Sequence, residues 1–119
     1  METVNNPLSN DSVESIEATI EELKQHIALG DALNRLFSNP DFKHLIEEEL
    51  LKSEVLRLVR SSAYPGNKNP DSQELIKSRL SMTAELQLYF NQIFQVAEAA
   101  RRDLPENYQV RDDLAQQQS

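Results

Sequence analysis

The chain of 119 residues has no cysteine and no tryptophan, and it has only two glycines. Without cysteine it has no disulfide, no thiolate metal site and no cysteine nucleophile. Tight hairpin turns favour glycine, so two glycines argue against a sheet-rich fold. The longest apolar runs are much shorter than the roughly 20 residues that span a bilayer. The opening stretch METVNNPLSNDS is acidic and polar, and we do not expect it to act as a secretory signal.

The residues that are abundant favour helices, and the charge is strongly negative. Ala, Leu, Glu, Gln, Lys and Arg are common, and all are good helix formers. The formal net charge is −8, which argues against general nucleic-acid binding, because such binding depends on neutralising phosphates. Two pairs of basic residues, Arg57 with Arg60 and Arg101 with Arg102, are interpreted as groups on helix surfaces. We therefore predict an all-α, non-membrane chain in a reducing compartment.

The first predicted helix covers residues 11–37. Asp11 is the expected N-cap, and Glu14 three residues later completes a pattern similar to a capping box. Gly30 interrupts the pattern and the apolar positions shift, which predicts a kink near residue 30; a break into two helices is the alternative. Before Gly30, apolar residues alternate by three and four positions, as in a coiled-coil seam: Val13, Ile16, Ile20, Leu23 and Ile27.

The stretch NPDxxxLIxxxL occurs twice, starting at Asn39 and at Asn69. Asn is a strong N-cap, Pro fits the first helical position because it needs no N–H there, and Asp complements the positive helix end. The repeat is therefore interpreted as one device for starting a helix, used twice, and duplication is the less favoured explanation. It predicts helices over residues 40–62 and 71–103, separated by the turn signal Tyr64–Lys68.

The third predicted helix is about 50 Å long at 1.5 Å per residue, and it exceeds what the other two helices can cover. Part of its apolar face therefore needs a partner, and self-association supplies one. The expected fold is a helical hairpin or three-helix bundle: a flexible arm at 1–10, one domain at 11–104 and a disordered tail at 105–119, after Pro105 stops the helix. The interface candidates are Leu86, Phe90, Ile93 and Ala97.

The sequence contains no pattern that indicates catalysis. There is no Gly-rich phosphate loop and no nucleophile elbow. His26 and His44 each follow an acidic residue at helical spacing, but a di-metal bundle needs more Glu and His than that. Glu47, Glu48 and Glu49 point in different directions on a helix and are interpreted as a solvated face. We predict no enzymatic activity, no cofactor and no metal.

Scattered residues resemble a group of small helical proteins encoded by tailed bacteriophages. NPDFK is followed by Ile46, Glu48, Lys52, Glu54 and Arg57-Leu58-Val59, and then by Leu86, Tyr89-Phe90, Ile93, Ala97-Glu98 and Ala100. The resemblance spans about residues 16–104. Glu49-Leu50-Leu51 departs from the Gly-Tyr-Phe that is frequent in that group. The resemblance implies a phage structural or assembly protein, located in the host cytoplasm during infection or in the virion, with virion proteins as partners.

Two other functions stay open at this stage. A small acidic antagonist of a host protein would present a carboxylate-rich face to a basic surface, since complementary potentials speed encounter. That face consists of Glu14, Glu17, Glu21 and Glu22. A small-ligand binder would instead use an oligomer cleft lined by Arg57, Arg60 and Lys77.

Overall fold

The computed structural model describes the backbone of residues 10–118 and the side chains of residues 12–117. This part of the chain contains helices and no strand, which confirms the all-α prediction. Helix α1 is Asn10–Phe37 and the long α4 is Pro70–Gln118. Between them lie α2 at Pro40–Phe42, a π-helical segment at Lys43–Ser53, α3 at Glu54–Ser61 and a 3₁₀ turn at Pro65–Asn67. The predicted arm lies outside the described residues except for Asn10.

Helix α1 passes through Gly30 without a break, so the single-helix interpretation is the correct one. A Cβ atom added at Gly30 would lie less than 3.0 Å from the Cβ of Ala97 on α4. Gly30 is therefore needed for a close approach of the two helices, and Ala97 and Ala100, each 1% exposed, form the other side of that contact region. Arg101 reinforces the contact by donating to Asp31 at 2.5 Å.

The two Asn-Pro-Asp stretches start helices as predicted. The side-chain oxygen of Asn39 accepts hydrogen bonds from the backbone N–H groups of Asp41 and Phe42, at 2.9 and 3.1 Å. The side-chain oxygen of Asn69 accepts one from the N–H of Ser72 at 2.8 Å. Each bond satisfies a donor that the first helical turn leaves without a partner.

The second predicted helix differs from the expectation in its hydrogen-bond pattern. Over Lys43–Ser53 the chain is π-helical, and the N–H of Glu54 donates to the carbonyl of Glu49, five residues earlier. No residue of this segment is buried. Helix propensity describes how readily a residue adopts helical dihedral angles, and it does not distinguish an i→i+5 from an i→i+4 pattern. The chain is helical over the predicted range 40–62 up to Ser61, with a π-helical segment that the sequence did not indicate.

The turn between α3 and α4 is held by two amide side chains. Asn67 donates to the carbonyl of Ser61 at 2.8 Å, and Gln73 donates to the carbonyls of Ser62 and Asn67 at 3.1 and 2.6 Å. These bonds satisfy carbonyl groups that the end of α3 leaves without helical partners. The predicted turn is thus an ordered connection.

The prediction that Pro105 ends the last helix was wrong. Helix α4 continues through Pro105 to Gln118, although proline removes one backbone hydrogen bond, at a cost of about 3 kcal/mol in a helix interior. The helix beyond Pro105 makes contacts with α1 and within α4 itself. Arg111 lies 3.5 Å from Glu17 and 4.9 Å from the ring of Tyr108, and Leu114 lines a concavity together with Ile16. The stretch predicted as a disordered tail therefore has a contact face, which its polar composition conceals.

The packing divides the chain into two compact units, where the sequence predicted one domain. Of the described residues, the first unit combines those up to Asp31 with those from Ile93 onward, and the second is Ala32–Gln92. Among the described residues, Ile20, Ala97 and Ala100 are buried in the first unit, and Leu33, Leu58 and Ile76 in the second. Helices α1 and α4 each supply residues to both. No described helix is long and apolar enough to cross a membrane.

Candidate functional site

The four interface candidates on α4 point toward the rest of their own chain. Phe90 is half-buried and makes edge-to-face contacts with Phe37 and Phe42, with ring centroids 5.4 and 6.4 Å away. Leu86 and Ile93 are also half-buried, and Ala97 is 1% exposed. Ala97 is therefore core and unavailable to a partner, and it needs to be removed from the interface candidates.

A second line of apolar residues on α4 faces outward. Each of its members lies one position before a residue of the covered seam Ile76, Thr83 and Phe90. Leu75, Met82 and Tyr89 follow each other at intervals of seven residues, with exposed fractions of 55%, 67% and 55%. We call these three residues the outer stripe. They belong to the same compact unit, Ala32–Gln92, and extend over roughly 21 Å of helix. No described part of the chain buries them.

Burial within the chain divides this broad apolar face of α4 into a covered and an uncovered part. Positions that alternate by three and four define a contact seam, but they do not state whether the same chain or another one fills it. The seam through Ile76, Thr83 and Phe90 is covered within the chain, and the outer stripe is not.

The acidic face of α1, made of Glu14, Glu17, Glu21 and Glu22, is exposed as predicted. Three of its carboxylates have nearby basic groups at long ion-pair distances. Glu17 lies 3.5 Å from Arg111, Glu21 lies 3.8 Å from Lys24, and Glu22 lies 3.8 Å from His26. Such exposed pairs contribute little free energy, so they leave the negative potential of the face largely in place.

The three basic cleft candidates do not meet in one cavity. Arg57 and Arg60 line a concavity of about 380 Å³ on α3, together with Ser53, Leu56, Ser61 and Tyr64. We call these six residues the basic face. Lys77 lines a different concavity of about 420 Å³, with Gln73, Glu74 and other residues around the start of α4. An oligomer cleft lined by all three residues stays a prediction.

Arg57 is engaged by a neighbouring carboxylate, whereas Arg60 is not. Arg57 donates two hydrogen bonds to Glu54, at 2.9 and 2.5 Å. These bonds hold the pKa of Glu54 below its ordinary value, and the positive charge of Arg79 acts in the same direction. The same bonds raise the pKa of Arg57. Within residues 12–117, Arg60 has no ion-pair partner, so the basic face keeps a net positive charge.

The histidines and the Glu47–Glu49 run do not assemble a metal site. His26 lies near Glu22 alone, and Glu48 pairs with Lys52 at 3.5 Å. In the part of the chain with described side chains, no group of three His, Cys, Asp or Glu converges.

Comparisons of the chain with protein-family models, with curated proteins and with solved structures give no match.

Proposed function

We propose that the protein is a non-enzymatic assembly protein that associates through helix-to-helix contacts made by α4. The observation that carries the proposal is the outer stripe: Leu75, Met82 and Tyr89, all more than half exposed at heptad spacing. A soluble monomer gains nothing from three large apolar side chains aligned on one helix face, and aligned exposed apolar groups are typical of contact surfaces.

The seven-residue spacing favours a helix as the partner element. Seven residues correspond to nearly two turns, so each stripe residue lies almost above the previous one and presents a narrow ridge. Ser78 and Glu85 lie next to the ridge and are exposed, which gives it a polar border. An apolar ridge with a polar border is the arrangement by which one helix packs along another.

The resemblance to small helical phage proteins supports a more specific version of the proposal. In this version the chain acts during assembly of a tailed-phage particle, in the infected cell or in the virion, and docks on copies of itself or on virion proteins. Mass spectrometry of purified virions and of assembly intermediates tests it. Peptides of this chain in either sample are expected, and their repeated absence from both would reject the phage-assembly role.

The absence of cysteine makes a direct test of the outer stripe possible. A Met82→Cys variant carries a single thiol at the centre of the stripe, and oxidation should convert most of it into a disulfide-linked dimer. Ala84→Cys is the matched control, because Ala84 is exposed but lies roughly 200° around the helix from Met82. Equal cross-linking of the two variants would show that the stripe is not a contact surface.

The acidic-antagonist function has weaker support. Its four carboxylates are exposed, which is also expected of a solvated helix face, and no other described feature of that face indicates a host target.

A further inference from the structure

The basic face of α3 is an uncovered surface of unusual charge for this chain. Ser53, Leu56, Arg57, Arg60 and Ser61 repeat at helical spacings and lie along one side of the helix, and Tyr64 joins them from the turn that follows. Leu56 is 55% exposed and Tyr64 is 62% exposed. A mixed apolar and cationic strip of this kind is suited to an amphipathic partner that carries carboxylates.

The dimensions of the basic face fit a helix lying along it. From Ser53 to Ser61 the strip extends over about 12 Å, or a little more than two helical turns. Leu56 and Tyr64 flank the arginines and offer apolar area. The aliphatic parts of a partner's long charged side chains can cover that area. A small anion would leave that apolar area exposed, so a helix uses more of the surface.

The acidic face of α1 has the matching charge and length. Glu14 to Glu22 also extends over about 12 Å of helix. Glu14, Glu17 and Glu21 follow one another at intervals of three and four positions, and Arg57 and Arg60 are three positions apart. Ala18 lies between Glu17 and Glu21 and is exposed, and its small side chain leaves room for the larger Leu56 or Tyr64. Within the chain, Glu17, Glu21 and Glu22 pair with Arg111, Lys24 and His26, respectively. These pairs are 3.5–3.8 Å long and solvent-exposed, so exchanging these partners costs little free energy.

We infer that the basic face of α3 binds the acidic face of α1 from a second copy of this chain. The occupant is assigned by charge: the chain has a net charge of −8, its basic face is an exception, and its own α1 supplies a complementary helix at equal concentration. The inference rests on the proposed function only in that copies of the chain associate. It adds a second contact, electrostatic and separate from the apolar outer stripe.

This contact has a salt dependence that the outer stripe lacks. The Debye length falls from about 30 Å at 0.01 M salt to about 3 Å at 1 M, so exposed charge pairs weaken while apolar contacts do not. Sedimentation velocity of the full chain at low salt should show a larger species than at high salt. A sedimentation coefficient that does not change with salt would overturn the inference.

A charge swap identifies the two surfaces. Arg57→Glu/Arg60→Glu reverses the basic face, and Glu14→Lys/Glu21→Lys reverses part of the acidic face. Each variant alone should associate at least tenfold more weakly than the wild type at low salt. An equimolar mixture should regain association, because the reversed basic face of one variant then meets the reversed acidic face of the other. Loss without recovery on mixing, or no loss, would contradict the inference.

Two controls separate this result from misfolding and from failure of the proposed function. Lys68→Glu/Lys77→Glu carries the same charge change at exposed positions outside the basic face and should keep the wild-type association. Circular dichroism should show wild-type helicity for all variants, since every substituted side chain is largely exposed. A Met82→Glu background removes the outer stripe; the salt-dependent species should persist there, so the two contacts succeed or fail independently.

Discussion

At the scale of single residues, a close contact between α1 and α4 in the first unit depends on a glycine. Gly30 has no Cβ, and the space that one would occupy is taken by Ala97 of α4. Glycine lowers helix stability by about 1 kcal/mol relative to alanine, so its presence in the middle of α1 indicates a packing requirement. The sequence pattern predicted a kink at Gly30. An isolated glycine in a helical pattern does not show which residues lie next to it in space, so the packing role could not be predicted.

A Gly30→Ala substitution should lower the free energy of unfolding by about 1–3 kcal/mol, because overpacking outweighs the gain in helix propensity. Urea unfolding followed by circular dichroism measures it. Gly66→Ala is the matched control, since nothing lies within 4 Å of its added Cβ and its φ is not positive. A Gly30 variant as stable as the Gly66 variant would show that α1 and α4 do not approach so closely.

Asn39 offers a second test at this scale, because its side chain caps two N–H groups at the start of α2. Asn39→Ala should destabilise the fold by about 1 kcal/mol. Asn39→Asp keeps an accepting oxygen and should remain close to the wild type. Thermal melts of the three proteins compare them, and an alanine variant that melts with the aspartate variant would argue against the cap.

At the scale of elements, helix starts were predictable and helix internal structure was not. Asn39-Pro40-Asp41 and Asn69-Pro70-Asp71 carry their start signals within three residues, and the structure uses both. Past Pro105, α4 lies near Glu17 and Ile16, about ninety positions earlier in the chain, and no local pattern indicates this. The π-helical segment likewise lacks a local signal, because its residues favour any helical form. The local signals for helix starts were therefore sufficient, whereas the local stop signal of Pro105 was not.

The continuation of α4 makes Pro105 an informative position. If the helix runs through it, Pro105→Ala restores the N–H that proline lacks and should raise the free energy of unfolding by about 1–3 kcal/mol. If the chain beyond Pro105 were irregular, the substitution would change stability little. Denaturant unfolding distinguishes the two cases, and Pro65→Ala, in the turn before α4, is the comparison that should not stabilise.

At the scale of the whole molecule, the described chain leaves large apolar side chains exposed in both of its units. Leu75, Met82 and Tyr89 stand out because they form one line on one helix. The prediction that α4 needs a partner followed from its length and pattern, and it remains a prediction. The seam through Ile76, Thr83 and Phe90 and the outer stripe have the same seven-residue repeat. Periodicity therefore does not indicate which side of α4 would face a partner.

The mass of the purified chain in solution tests the central claim most directly. Size-exclusion chromatography with light scattering, in high salt to suppress ionic contacts, should give a multiple of the 13.6 kDa chain mass for the wild type. Met82→Glu should give 13.6 kDa, and the matched Ala84→Glu should keep the wild-type mass. A wild-type mass of 13.6 kDa across the accessible concentrations, or an unchanged mass for Met82→Glu, would contradict association through the outer stripe.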